Sequence, residues 1–199
     1  MDKPTTVSQP ITIPPIDVRT MEVTLIGDSP LISHRWSEKA KKEILDKQMK
    51  KAKTAKQAKD PQADYDASLY KLPDGIGYGF PAVAFKASAV SACRFSEGIK
   101  MTEARGAFHI VGELVPLVGV PSIREDMVRV GMGVADIRHR AEFKAWRATL
   151  TVNYNASAFS PEQIVNLLNL AGFGVGVGEW RPEKDGSYGR FHVATEADL

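Results

Sequence analysis

The most informative stretch of this sequence is "SPEQIVNLLNLAGFGVGVGEWRPEKDGSYGRFHV", residues 160–193. It begins as a helix, because Ser160 caps the first turn, Pro161 fits the first helical position and Gln163 completes a capping box. The apolar run that follows predicts a helix that ends at Gly172. The last residues, "RFHV", predict a strand. The order of helix, glycine loop and strand therefore predicts the last α-β step of the fold.

The glycines of this stretch do not have the spacing of a known phosphate-binding loop. A dinucleotide-binding loop needs G-x-G-x-x-G at the start of a helix, whereas Gly174 and Gly176 follow a helix and Glu179 stands where the third glycine is needed. A P-loop needs Gly-Lys-Ser/Thr, which does not occur here. One structural interpretation is a helix cap at Gly172 followed by a hairpin that turns at "DGSYG" (185–189).

A functional interpretation explains the glycines beyond those that a hairpin needs. One face of the predicted strand carries no side chains, because glycines occupy its alternate positions, Gly174, Gly176 and Gly178. Another backbone can therefore approach this face closely. The groups that surround this bare surface are aromatic or cationic, and such groups stack on bases and neutralise phosphates. They are Trp180, Arg181, Lys184, Tyr188 and Arg190. The stretch is therefore a candidate contact for a single-stranded polynucleotide.

The rest of the chain supplies the other elements of an α+β fold. Alternation in "MEVTLIGD" (21–28) and "RATLTVNYN" (147–155) predicts two strands, and the β-forming residues of "AFHIVGELVPLVG" (107–119) predict a hairpin. "FPAVAFKASAVSACRF" (80–95) predicts a helix packed on a sheet. Together with the helix at 160–172, the order matches a ferredoxin-like or RNA-recognition-like β-α-β-β-α-β core.

Two segments do not fit this core and are interpreted as insertions into one domain that spans 21–199. A lysine-rich helical segment at 37–60 follows the first strand and ends at Asp60-Pro61. A long, irregular, basic segment at 120–146 lies between the middle strands. Residues 1–20 hold four prolines and are predicted to form an extended N-terminal arm.

The distribution of charge says more about partners than the net charge of +2. Nine lysines lie between residues 37 and 59, and Lys50, Lys53 and Lys56 belong to a part of that run without acidic residues. Lysines in such a run release counterions when they contact phosphates, which predicts salt-dependent binding to nucleic acid. The alternative is a solvated helical face that contacts no partner.

The composition argues against several classes of protein. Cys93 is the single cysteine and no Cys/His cluster has metal-ligand spacing, so we expect no disulfide scaffold, no metal site and no cofactor. No apolar run approaches the roughly 20 residues that span a bilayer, and the first residues lack the apolar region of a signal peptide. We therefore expect a cytoplasmic protein without membrane contact.

Three segments in this order are similar to motifs of the RAMP superfamily of CRISPR-associated proteins, in particular its backbone subunits, which polymerise along guide RNA. "VTLIGDSPLISH" (23–34) resembles the first strand and the Ser-Pro-Leu turn of that family. "GFPAVAFKASAVSACR" (79–94) resembles its proline-led helix, and "GVGVGEWRPEKDGSYGRFHV" (174–193) resembles its glycine-rich loop and closing strand. The resemblance covers most of residues 21–195, and chains very like this one resemble bacteriophage members.

The resemblance implies a modified RNA-recognition fold that grips single-stranded nucleic acid by its backbone and oligomerises side by side. It places Lys86 beside the glycine-rich loop and makes the segment 120–146 a protruding thumb. In the thumb, the resemblance implies arginines that contact phosphates and apolar side chains that form a wedge. These are Arg129, Arg138 and Arg140, and Met127, Val130 and Met132. An ordinary surface loop is the alternative for this segment.

The leading hypothesis is a non-enzymatic protein that binds single-stranded RNA or DNA and forms a homo-oligomer or filament along it. The cleavage loop of some family members holds an aspartate, and the matching "SHRWSEKAKK" (33–42) has none, so the resemblance assigns no catalytic residue. The alternatives are a metal-independent endoribonuclease, with His34 as the acid–base group, and a phage decoy or inhibitor that binds a host complex. A phage protein would act in the host cytoplasm.

Overall fold

The computed structural model of the protein describes residues 15–51, 58–130 and 133–198. Within these ranges the chain forms strands β1 (Val18–Gly27), β2 (Leu31–Ser33), β3 (Tyr70–Lys71), β4 (Tyr78–Pro81), β5 (Phe108–Ile110), β6 (Leu114–Val118), β7 (Pro121–Val130), β8 (Val134–Phe143), β9 (Arg147–Asn155) and β10 (Phe191–Val193). The helices are α1 (Glu38–Gln48), α2 (Pro61–Ser68), α3 (Ala82–Ala92), α4 (Met101–Ala107) and α5 (Pro161–Gly174). Short 3-10 helices lie at Cys93–Phe95, Pro182–Lys184 and Glu196–Asp198.

The main sheet confirms the predicted ferredoxin-like α+β core. Its strands run antiparallel in the order β10-β1-β9, and both β5 and β6 pair with the other edge of β9. Since α3 and α5 connect these strands and pack against each other, the chain follows the β-α-β-β-α-β path. Strands β4 and β3 extend the sheet beyond β6.

The core lies between this sheet and the two connecting helices. Val23 of β1 is opposite Leu150 of β9, and Leu25 is opposite Ala148, so all four side chains share one face of the sheet. They are buried, as is Phe85 of α3. Burying each large apolar side chain stabilises the folded state by roughly 1.5–3 kcal/mol. This packing holds β1, and with it the start of the loop that follows, in place.

Helix α5 begins as predicted but ends later. The Ser160 side chain accepts a hydrogen bond from the Gln163 backbone, and the Gln163 side chain accepts one from the Ser160 backbone. The predicted end at Gly172 is wrong, because the helix continues to Gly174. A Cβ atom at Gly172 would lie 1.8 Å from the Phe191 carbonyl oxygen. The glycine therefore allows α5 to pack closely on β10.

Two predictions about strands are also wrong. The arm does not extend to residue 20, because Val18 already pairs with Asn155 at the start of β1; residues 1–14 lie outside the described residues. The segment 107–119 is no hairpin, because β5 and β6 follow one another along the same strand, β9. Gly112 lies between them with a φ of 91°, which marks a bulge in an interrupted strand.

The lysine-rich insertion differs from the predicted single helix. Helix α1 ends at Gln48, and Asp60-Pro61 begins α2 instead of ending α1. The Asp60 carboxylate accepts hydrogen bonds from the Gln62 and Ala63 N–H groups and so caps the new helix. Residues 52–57 lie outside the described residues.

The segment 120–146 is a regular β-hairpin and not an irregular loop. Strands β7 and β8, together called the hairpin below, pair in ten positions from Pro121 opposite Phe143 to Val130 opposite Val134. Strand β2 pairs with the other edge of β8, so the hairpin is part of a second, three-stranded sheet. The hairpin is thereby anchored to the loop that leaves the first strand of the core.

Candidate nucleic-acid interface

One face of the hairpin carries most of its charges. Arg124 is opposite Arg140 and Asp126 is opposite Arg138, and side chains of opposite residues in an antiparallel pair share a face. The segment after α5 reaches this face at Tyr188. The Arg124 guanidinium lies over the Tyr188 ring, 4.6 Å from its centroid, and donates a hydrogen bond to the Tyr188 hydroxyl. The hairpin and the glycine-rich loop are therefore in direct contact.

A cleft of about 300 Å³ opens between the hairpin and this loop, and we call it the hairpin cleft. It is lined by Val128, Arg129, Arg138 and Arg140 of the hairpin and by Glu179, Trp180, Arg181 and Lys184 of the loop. Six of these residues are predicted site residues, from segments about 40 positions apart in the sequence. The fold brings them together because β2 and Tyr188 hold the hairpin against the loop.

The cations of the cleft differ in how far they are engaged within the chain. Arg129 and Lys184 are exposed and make no ion pair among the described residues. Arg138 lies 3.5 Å from an Asp136 carboxylate oxygen. Arg181 donates two hydrogen bonds to the Glu183 carboxylate and one to the Gly178 carbonyl. The cleft therefore combines two exposed cations without ion pairs in the described part of the chain, Arg129 and Lys184, with an arginine fixed by hydrogen bonds, Arg181.

Glu183 is shared between two arginines. Its second carboxylate oxygen accepts a hydrogen bond from Arg94, which follows α3. Burial raises the pKa of Glu183, but Arg181 and Arg94 outweigh burial and lower it. The ionised carboxylate thus connects the loop to the end of α3.

Arg140 is the most unusual residue of the cleft. Its side chain is 3% exposed, yet its Nε and Nη1 atoms have no hydrogen-bond partner within the described chain. The nearest carboxylate oxygen belongs to Glu179, 3.5 Å from Nη1. Burial lowers the pKa of Arg140, because the charged form loses hydration there. A buried cation without hydrogen bonds is costly unless an acceptor is supplied.

Glu179 is the only acidic residue of the described ranges that lines the cleft, and it was not predicted as a site residue. His34 Nδ1 donates a hydrogen bond of 3.0 Å to its carboxylate, and Arg140 lies on its other side. The hydrogen bond from His34 outweighs burial and lowers the pKa of Glu179. The carboxylate is therefore ionised and partly neutralised by its neighbours.

The glycines of the loop do not form the predicted strand with one bare face. Gly174 ends α5, and Gly176 and Gly178 adopt positive φ angles of 70° and 79° in a segment without strand. A Cβ atom would lie 2.9 Å from the Phe95 ring at Gly174, 2.7 Å from Pro182 at Gly176, and 2.6 Å from the Ile32 carbonyl oxygen at Gly178. The close approach is therefore made by the chain itself and not by a free surface.

The predicted turn at 185–189 is not the turn of a β-hairpin either. A 3-10 helix leads into Asp185, which is left-handed with a φ of 59°. A Cβ atom at Gly189 would lie 1.7 Å from the Val177 carbonyl oxygen.

The Trp180 backbone is also left-handed, with a φ of 54°, which costs of order 1–3 kcal/mol in a non-glycine residue. Its side chain is 42% exposed beside the cleft.

Several predicted site residues lie outside the cleft lining. Lys86 contacts His109 Nδ1 at 2.9 Å, and burial lowers its pKa. Arg190 is half-buried and its Nε has no partner among the described residues. Lys50 is exposed just after α1, and Lys53 and Lys56 lie outside the described residues. Met127 is 68% exposed on the hairpin, whereas nothing is described of Met132 or of the Val130 side chain.

In residues 15–51, 58–130 and 133–198, no group of three or more His, Cys, Asp or Glu side chains is arranged to hold a metal ion. None of the helices in the same part of the chain has the length and apolar character of a membrane span.

The fold belongs to the class of antiparallel ferredoxin-like sheets, here with a hairpin inserted between the middle strands, and it is similar to that of solved structures. The first structure compared below has a similar fold, so the predicted resemblance is confirmed at the level of the fold. No protein-family model matches the sequence, and no curated protein is similar to it in sequence.

The first of the two structures is the Type III-B Cmr-beta complex bound to cognate target RNA. The match has a TM-score of 0.53 and 11% sequence identity and covers 89% of this chain but 59% of the other. The second is Cmr6 from Pyrococcus furiosus, with a TM-score of 0.47, 11% identity, and coverage of 90% of this chain and 100% of the other. This chain therefore spans about three fifths of the first protein that it matches.

Proposed function

We propose that the protein binds single-stranded nucleic acid, with RNA as the expected substrate, in the hairpin cleft. The observation that carries the proposal is the convergence of five cations from two distant segments on a cleft with one acidic residue, Glu179. Phosphate groups are the ligands that such an arrangement favours. The fold is shared with a complex described as bound to target RNA, which supports the same substrate class.

Arg140 gives the proposal its most specific feature. Its guanidinium borders the cleft with Nε and Nη1 not hydrogen-bonded within the described chain, and a phosphodiester oxygen would supply an acceptor in addition to the ion pair with Glu179. Arg138 and Lys184 would contact the flanking phosphates, while the Trp180 indole, beside them, would stack on a base. The loop would therefore contribute positive charge and a stacking surface. The sequence had instead predicted that its glycines let a nucleic-acid backbone approach the loop closely.

Fluorescence anisotropy with a labelled single-stranded RNA of about 30 nucleotides tests the proposal. We expect binding at low salt that weakens as salt rises, with a slope of about −0.7 per phosphate contact. Replacing both Arg138 and Lys184 with Gln should reduce the slope by about 1.4 and weaken binding about tenfold or more. DNA of the same sequence reports the contribution of the 2′-hydroxyl.

Lys100→Gln is the matched control. Lys100 precedes α4, its side chain is 80% exposed, and it does not line the cleft, so its loss removes a charge and leaves the cleft unchanged. We expect affinity and slope close to those of the wild type. Because the control removes one charge and the cleft variant removes two, a loss of binding free energy in the control about half that in the cleft variant would show a diffuse electrostatic contact. No binding at low salt would refute the proposal.

Assembly of several copies along one strand is part of the same proposal. The protein should form complexes whose mass rises in steps as the oligonucleotide is lengthened from about 10 to about 30 nucleotides. Light scattering after size exclusion measures this mass. A single copy on the longest strand, with saturating protein, would contradict the assembly and leave the binding site intact.

Metal-independent RNA cleavage is a second candidate, and one contact favours it. His34 Nδ1 is held by Glu179 at the cleft, and its Nε2 has no hydrogen-bond partner among the described residues. A histidine fixed in this way is suited to take a proton from a 2′-hydroxyl. Cleavage of labelled RNA in EDTA that His34→Ala abolishes would establish this activity, and intact RNA after prolonged incubation would exclude it.

A further inference from the structure

A second and larger depression lies at the edge of the main sheet, and we call it the Trp36 groove. It has a volume of about 780 Å³ and lies beside β3, where the segment before α1 approaches the start of α3. Its lining includes Trp36, Tyr70, Pro81 and Val83, with Arg35 and Lys71 at its rim. None of these residues lines the hairpin cleft. A volume of this size accommodates a small organic group.

Trp36 is exposed on a fixed backbone. Its side chain is 55% exposed, although the backbone on either side of it is held in place. The Arg35 N–H donates a hydrogen bond of 2.9 Å to the Ser68 carbonyl, and Ser37 caps α1 through the Ala40 N–H. The indole N–H has no partner among the described residues. Since the backbone is already fixed, only the two side-chain torsions of Trp36 remain to be ordered when a ligand stacks on the ring.

The charges of the groove balance, unlike those of the hairpin cleft. Arg35 and Lys41 both contact the Glu38 carboxylate, at 3.3 and 2.8 Å. Lys71 makes no ion pair within the described ranges, and two carboxylates line the groove, those of Asp66 and Glu113. With Glu38, which pairs with two of the lining cations but does not itself line the groove, three acids match the three cations. The groove suits a flat, uncharged group with polar edges, and a phosphate is better placed in the cleft.

The two depressions are adjacent along the chain. His34 contacts Glu179 in the hairpin cleft, and the next two residues, Arg35 and Trp36, line the groove. Burial raises the pKa of Tyr70 in the groove, Arg35 lowers it and Glu179 raises it further. Tyr70 is thus within electrostatic reach of the cleft carboxylate. The segment 34–36 therefore borders both depressions.

We propose that the Trp36 groove binds an unpaired base of the same single strand whose phosphates lie in the hairpin cleft. The inference rests on the proposed function and adds to it a base-binding site next to the phosphate-binding site. Stacking of one base on an exposed indole explains the exposed Trp36, the apolar walls and the balanced charge together. The polar side chains that line the groove would hydrogen-bond to the edge of the stacked base.

An abasic strand separates the two sites, because it keeps every phosphate and lacks every base. Anisotropy with Trp36→Ala should show binding of a normal 30-nucleotide RNA weakened by about 5-fold to 150-fold. Binding of an abasic strand of equal length should be unchanged, and Trp36→Phe should keep most of the affinity. Phe173→Ala, which removes an aromatic side chain that is 74% exposed on α5 and lines neither site, is the control.

The possible outcomes distinguish failure of the base site from failure of the proposed function. Wild-type affinity in Trp36→Ala, together with weakened binding in the Arg138 and Lys184 variant, would overturn the base site and leave the cleft as the binding site. An equal loss with normal and abasic strands would also overturn it, because Trp36 would then act through the structure. If the wild-type protein binds no RNA at low salt, the proposed function fails and the base site fails with it.

Discussion

Replacing Gly172 with alanine tests whether α5 and β10 are packed as closely as described. In most helices this change stabilises by about 0.5–1 kcal/mol, because glycine loses more backbone entropy on folding. Here the new Cβ would lie 1.8 Å from the Phe191 carbonyl oxygen. Since carbon and oxygen atoms approach to about 3.3 Å, the helix and strand must separate by about 1.5 Å.

The cost of that separation exceeds the gain in helix propensity. Overpacking a core costs typically about 1–3 kcal/mol, and the upper end applies because backbone, and not a flexible side chain, must move. The net destabilisation is about 2 kcal/mol, which lowers the melting temperature by about 4–8 °C for a chain of this length. Differential scanning calorimetry measures the shift.

Gly106→Ala is the matched control in the same protein. Gly106 lies in α4 and is exposed, and a Cβ atom added there would meet no neighbouring atom within 4 Å, so only the gain in helix propensity remains. This variant should melt up to about 2–4 °C above the wild type, given a gain of at most about 1 kcal/mol. If Gly172→Ala melts at or above the wild type, the close contact between α5 and β10 does not exist.

Three further variants follow from the contacts described. Burial lowers the pKa of His192, but Asp28 and Asp198 outweigh burial and raise the pKa above 6.5. The protonated imidazole therefore stabilises the folded state fully below about pH 6.5, and this stabilisation is lost as the pH rises through the raised pKa. His192→Gln should therefore lower the melting temperature more at about pH 5.5 than at about pH 9; an equal effect would refute the ion pairs. Phe85→Ala should cost about 3–5 kcal/mol in denaturant titration, because the ring is fully buried, and a cost below about 1 kcal/mol would contradict its place in the core. Arg140→Met should weaken RNA binding and lower the melting temperature, because it leaves the ionised Glu179 carboxylate with only His34 in contact with it among the described residues; a melting temperature at or above that of the wild type would show that the Arg140–Glu179 pair does not stabilise the fold.

Features set by local chemistry could be predicted from the sequence. Alternation in residues 21–28 predicted the strand in which Val23 and Leu25 are buried, and the reciprocal bonds of Ser160 and Gln163 are properties of a single helical turn. The end of α5 could not be predicted in this way. A glycine at 172 is a stop signal by propensity, but here it serves contact with Phe191, which only the tertiary structure brings there.

The hairpin was missed although a signal was present. Arg138 and Arg140 occupy alternate positions, and their partners across the strand pair, Asp126 and Arg124, alternate in the same way. The high charge of the segment obscured this pattern, because surface loops are also polar. The cleft cations were identified by residue type, whereas Glu179 was missed because an isolated glutamate carries no motif.

The contacts within the glycine-rich loop have a consequence for the kinetics of association. Glu179 N–H donates to the Ile32 carbonyl, Val177 N–H to the Gly189 carbonyl and Tyr188 N–H to the Trp180 carbonyl, so this wall of the cleft is formed before any ligand arrives. A preformed, cationic site needs no slow rearrangement, and its encounter rate with a polyanion is set by diffusion and electrostatic steering. Added salt should then lower the association rate constant. The dissociation rate constant should depend instead on how well each base and phosphate fits the site.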